Sequence, residues 1–162
     1  MFAQGAQTDK WLPLASNVCT TPSGKPGVAL EFHKGDSFQG KPLVVQNRAK
    51  TDLFLWDSAP PEVLPEYSFR VKAQIVPETS GFHTFGFSSV GPGRLLVNGS
   101  VLIDNWDWTE AGEAMFDSSV EVTTSTYLEA GKTVEILIES TNEVRPASKK
   151  APDRPTTTVG VD

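Results

Sequence analysis

Asn98-Gly99, set between Leu95-Leu96-Val97 and Ser100-Val101-Leu102-Ile103, limits what this chain can fold into more than any other pair of residues. A two-residue hairpin turn needs positive φ angles, which Asn and Gly tolerate, so the two apolar segments are read as antiparallel neighbours in a sheet. The same reading extends outward. Tyr67-Ser68-Phe69-Arg70-Val71-Lys72-Ala73-Gln74-Ile75 alternates, with Phe69, Val71, Ala73 and Ile75 expected in a core and Arg70, Lys72 and Gln74 in water. Val28-Ala29-Leu30-Glu31-Phe32-His33, Leu43-Val44-Val45 and Phe82 to Phe87 read as further strands. Ser119-Val120-Glu121-Val122 reads as extended, and Thr133-Val134-Glu135-Ile136-Leu137-Ile138-Glu139 follows the turn at Ala130-Gly131-Lys132. In that last segment Val134, Ile136 and Ile138 point one way, with Glu135 and Glu139 opposite.

No segment has a long helical period, and 13 glycines with 12 prolines in 162 residues favour short strands and turns. The expected fold is all-β, an antiparallel β-sandwich or barrel forming a single domain. Its bounds are drawn at residues 27–143, with residues 1–26 as an N-terminal leader or linker and residues 144–162 as a Pro-, Lys- and Thr-rich exit linker.

Charge and cysteine usage exclude several function classes. The net charge is -6 and the only basic pair outside the ordinary scatter is Lys149-Lys150, so a phosphate backbone would be repelled and no nucleic-acid partner is expected. Cys19 is the single cysteine, so neither an internal disulfide nor a thiolate metal cluster can form. Its setting in a Pro- and Ser-rich segment argues against a catalytic thiol. The first residues lack the basic-then-apolar order of a signal peptide, which with the lone cysteine favours a cytoplasmic over a secreted location. No apolar run reaches about 18 residues, so no membrane partner is expected.

Asp104-Asn105-Trp106-Asp107-Trp108-Thr109-Glu110 gathers the groups that suit a sugar. An indole stacks on the C–H face of a pyranose while Asp and Asn bind its hydroxyl edge. In extended backbone Trp106 and Trp108 would project to one side and form a two-ring platform. The competing structural reading has one or both indoles capping the core. Asp104 and Asp107 could suggest an acid and nucleophile pair, but Asp104 is better read as an acceptor for loop amides, so no catalytic residue is assigned. Trp11 and Trp56 read as packing or anchoring residues. His33 and His83 have no Cys or His at ligand spacing, and Gly91-Pro92-Gly93 lacks the glycine-lysine pair of a phosphate loop. No metal and no cofactor is expected. Asn98-Gly99-Ser100 fits a glycosylation sequon, yet the turn already explains it.

The run PETSGFHTFGFSSVGPGRLLVNGSVLIDNW resembles the centre of a PA-14 domain, the β-sandwich module named after anthrax protective antigen, in the version inserted into family 3 β-glucosidases. MFDSSVEVTTSTYLEAGKTVEILIES resembles the later strands of that family, and GKPGVALEFHKGD its first one. The resemblance covers residues 26 to 143. It implies a non-catalytic, carbohydrate-related accessory module that shapes the outer, aglycone side of the substrate site. Its implied partners are β-glucosides or oligosaccharides, bound weakly in isolation, and the catalytic domain of a parent enzyme.

The loops that would meet them are Val90 to Arg94 and Asp104 to Trp108, giving Arg94, Asp104, Asn105, Trp106, Asp107 and Trp108 as candidate substrate-binding residues. The family's catalytic nucleophile lies in a Ser-Asp-Trp motif of a TIM-like barrel, which this chain lacks, so it reads as an excised or separately expressed piece. Adhesins of the same superfamily hold calcium through adjacent aspartates in the loop after the central strand. Ser88-Ser89-Val90-Gly91 stands there and offers no carboxylate, so adhesin-like calcium binding is not expected. A free-standing lectin and a purely structural covering domain are the alternatives.

Overall fold

The computed structural model describes residues 2–3, 12–53, 55, 59–107, 110 and 119–143. Among these residues ten strands form two antiparallel sheets, within the all-β class that the sequence predicts. They are β1 (Phe2–Ala3), β2 (Leu12–Pro13), β3 (Val28–Lys34), β4 (Val44–Arg48), β5 (Tyr67–Ile75), β6 (Gly81–Phe87), β7 (Gly93–Val97), β8 (Ser100–Asp104), β9 (Val122–Leu128) and β10 (Val134–Thr141). The larger sheet runs β4-β3-β5-β10-β7-β8 and the smaller β2-β1-β6-β9.

Alternation on β5 places Val71 and Ala73 in the core, with Phe69 and Ile75 packed against it. The inner faces of both sheets meet in one cluster: Phe85, Phe87 and Leu128 of the smaller sheet pack with Leu30, Phe32, Leu95 and Ile136 of the larger. Each such side chain, once removed from water, contributes about 1.5–3 kcal/mol, which offsets the ordering of the chain. The Asn98-Gly99 turn joins β7 and β8 with φ of 49° and 78°, the two positive angles that a type I′ turn requires. Asn98 also docks on β10, its Oδ1 accepting the Glu135 amide at 2.9 Å.

Three features depart from the pattern reading. The segment read as a leader contributes Leu14 and Cys19 to the core, and Thr20 exchanges backbone hydrogen bonds with Gln74. The Pro-rich composition hid this, because the segment packs through single residues rather than an alternating strand. Around Ser119–Val122 the extended piece is short, and the full strand lies downstream at Val122–Leu128, where runs of Thr and Ser gave no apolar alternation. Glu139, placed by the sequence on the side of β10 opposite Val134, Ile136 and Ile138, is 3% exposed. It does lie on the outward side of β10, but that side is covered.

Candidate functional site

The cover is built from a row of charges that crosses the larger sheet at one register level. Glu31 on β3 stands opposite Arg70 on β5, Arg70 opposite Glu139 on β10, Glu139 opposite Arg94 on β7, and Arg94 opposite Asp104 on β8. Because side chains alternate along every strand, all five project to the outer face. Glu139 sits between two guanidinium groups. Its Oε1 accepts Arg70 Nε and a terminal nitrogen at 2.9 and 2.8 Å, and its Oε2 accepts the corresponding pair from Arg94 at 2.7 and 2.6 Å. Glu31 is tied separately to Lys72 at 2.8 Å. Such a carboxylate can be buried only because both of its oxygens are matched by charged donors.

Two aromatic rings lie over the row. The Phe38 ring centroid is 4.9 Å from the Arg70 guanidinium carbon, and the Trp106 ring centroid is 5.2 Å from that of Arg94. The two rings meet edge to face with centroids 6.0 Å apart. Cation–π attraction of this kind strengthens as water is excluded. His33, also on the outward side of β3, is buried at the inner edge of this cover, 6.2 Å from the Phe38 ring centre. No hydrogen bond of good geometry closes on either of its ring nitrogens. Burial lowers its pKa first, and the Arg70 charge lowers it further; Glu31 and the nearby Gln39 backbone oppose them.

The predicted site residues fall on this structure unevenly. Arg94 is half-buried and committed to Glu139. Asp104 turns its carboxylate back to accept the Trp106 amide at 2.9 Å, the loop-fixing role expected of it. Asn105 is buried: its amide donates to the Gly93 carbonyl at 2.8 Å, and its side-chain Nδ2 has no hydrogen-bond partner. Trp106 is half-buried, Asp107 is exposed, and Trp108 lies outside the described residues, as do Trp11 and Trp56. The two-ring Trp106–Trp108 platform depends on Trp108 and so falls outside the described residues; Trp106 itself meets Phe38 edge to face.

Arg70, Glu139, Phe38 and His33 belong to the site and were missed. Charges of alternating sign at one register level on five strands become visible only once the strands are paired. Among the described residues no three His, Cys, Asp or Glu side chains come together in a group that could hold a metal ion. In the loop before β7, Ser89 and Ser119 exchange hydrogen bonds, and the Pro92 carbonyl accepts Ser140 Oγ at 2.7 Å.

Residues 24–160 match the PA14 domain family. The chain belongs to that family, and two-sheet antiparallel architecture around one core is the form it takes here. A probable β-glucosidase I of Aspergillus niger is 32% identical over 143 residues, covering 85% of this chain and 17% of that protein. The chain thus spans about a sixth of the length of that curated relative. Among solved structures, a β-glucosidase from Kluyveromyces marxianus superposes with a TM-score of 0.67 at 20% identity, over 79% of this chain and 17% of that one. An anti-sigma factor domain-containing protein from Clostridium clariflavum reaches a TM-score of 0.54 at 22% identity, over 73% of this chain and 38% of that one. At such identities these structures speak for the fold alone.

Proposed function

We propose that this chain is a non-catalytic accessory module of a β-glucosidase, in which the Trp106 loop forms part of the wall on the outer, aglycone side of the substrate site. The observation that carries the reading is its 32% identity to a β-glucosidase of which it spans only 17%. Local chemistry supports it. Trp106, with Phe38 at its edge, offers an aromatic surface that is held in place from below by Arg94, and Asp107 stands exposed beside it. A ring fixed before substrate arrives loses little freedom on binding, so a modest contact can still discriminate between aglycones. Catalysis by the chain itself has little support: the two oxygens of Glu139 are both occupied, and Asp104 holds its own loop.

Affinity for sugar in isolation is expected near millimolar, about -4 kcal/mol. Held beside a catalytic pocket, the same contact acts at high effective concentration. Trp106→Ala and Trp108→Ala in a full-length parent enzyme, assayed on short and long β-glucosides, test the role. A change in the ratio of kcat/KM between the two substrates is expected; an equal change on both, or none, overturns it. The chain alone should not turn over an aryl β-glucoside. Millimolar or tighter binding by the isolated chain, with no effect in the parent, would favour the free-standing lectin reading instead.

A further inference from the structure

The other outer face of the sandwich, on the smaller sheet, is built quite differently. Phe82 is 79% exposed and Tyr127 56% exposed, although Phe85 and Phe87 on the same strand are fully buried. Phe82 and Tyr127 stand directly opposite each other on β6 and β9, with ring centroids 5.7 Å apart and planes at 81°. Next along the same face come Thr84 and Ser125, also opposite each other, with their hydroxyl oxygens 2.8 Å apart. Gly86 faces Thr123 beyond them, and the Glu121 carboxylate lies over Gly86, where a Cβ would meet it at 2.5 Å. From Phe82 to Gly86 the strip runs about 13 Å.

Neighbouring aromatic rings left in water on a sheet face forgo the gain of burial and mark a contact surface. The chemistry of the strip narrows what could cover it. The outward side chains of β6 and of β9 carry no charge, and Glu121 supplies a single carboxyl at the far end. A phosphorylated ligand therefore finds no counter-charge, and a cationic one finds only that single carboxyl at the far end. Two aromatic side chains of about 150–250 Å² each fall well short of the ~800 Å² per partner of a standard protein interface. Ring faces beside a row of hydroxyls suit a neutral sugar chain, whose C–H surfaces stack while its hydroxyls pair with Thr84, Ser125 and Thr123. Rings at near right angles share no plane, so a flat crystalline surface cannot engage both.

We infer that the Phe82–Tyr127 strip binds a single soluble chain of a neutral polysaccharide, at a site separate from the Trp106 loop. This inference does not rest on the accessory role proposed above. Affinity electrophoresis of the 162-residue chain in gels containing soluble mixed-linkage β-glucan tests it, with soluble β-1,3-glucan and glycogen in parallel gels to separate the sources of neutral glycan. Retardation is expected in at least one gel. Phe82→Ala with Tyr127→Ala should weaken it by about tenfold or more, while Val45→Ala, at an exposed apolar residue of the larger sheet, should leave it unchanged. Crystalline cellulose should not retain the chain.

The inference is overturned if no glycan retards the chain, if the double variant migrates like the original, or if Val45→Ala removes the retardation. It is equally overturned if the double variant keeps its retardation but no longer associates with the remainder of a full-length parent, which would make the strip a docking surface. Amide resonances of the unsubstituted chain, followed during titration with an oligosaccharide of the retarding glycan, keep the test independent of mutant folding. Residues 82–86 and 123–127 must shift; shifts confined to other residues refute the site.

Discussion

The outward side of the larger sheet is locked, whereas the outward side of the smaller sheet is open. On the first, Glu139 is gripped by Arg70 and Arg94, and Phe38 and Trp106 close over the guanidinium groups. On the second, Phe82 and Tyr127 touch each other and otherwise face water. Both faces use the same alternation of side chains across paired strands. The difference arises from what the connecting segments do. The residues after β3 and after β8 fold Phe38 and Trp106 back over the sheet, whereas Phe82 and Tyr127 keep 79% and 56% of their exposure. Aromatic residues on one face thus contribute to stability and shape, and on the other remain available to a ligand.

The largest test of this contrast removes the centre of the lock. Glu139→Ala leaves two guanidinium groups facing each other without a counter-charge, and it should cost about 3 kcal/mol in urea unfolding. The value is at the low end for such a loss because the Arg70 and Arg94 side chains keep 26% and 36% of their exposure. A cost below about 1 kcal/mol would mean that this face is as open as the other. Trp106→Ala should come next, at about 1–2 kcal/mol from lost burial and lost contact with Arg94.

His33 gives a smaller effect confined to acid pH. Its folded pKa is lowered by burial and then by Arg70, so the unfolded chain takes up a proton at higher pH than the folded one. The stability this protects is intact above the ordinary imidazole value of about 6.5 and is lost as pH falls through that value toward the lower folded one. Replacing His33 with Asn should flatten the fall in denaturation midpoint between about pH 7.5 and 5.5; an unchanged slope would place the titrating group elsewhere. The smallest effect belongs to the open face. Phe82→Ala and Tyr127→Ala should each change stability by less than about 1 kcal/mol, since each loses little more than a cross-strand pair contact. A loss comparable to that of Trp106→Ala would erase the distinction between the faces.

Much of the scaffold was legible because its signals are local. The bounds of Tyr67–Ile75 and the turn at Asn98-Gly99 follow from alternation and from the φ angles that Asn and Gly accept. Asp104 as a loop acceptor was readable for the same reason, since a side chain bonding an amide two residues on needs no distant partner. The strand Val122–Leu128 was less legible, because Thr and Ser alternate with other small polar residues and the hydrophobic period vanishes. Of the candidate site, Arg94 and Trp106 were named but not their relation. Nothing in the order of residues says that Trp106 covers Arg94, or that Arg94 shares Glu139 with Arg70, 24 positions before it.

What the sequence by itself determined is therefore the class of fold, the turn that closes the β7–β8 hairpin, and the lack of a second cysteine for an internal disulfide, all of which rest on residue type and near neighbours. Tertiary structure alone decided that Glu139 is buried, that Trp106 lies over the guanidinium group of an ion pair, and that Phe82 stays in water while Phe85 does not. These outcomes depend on which strands pair and which loops fold back, and therefore on contacts between residues far apart in the chain.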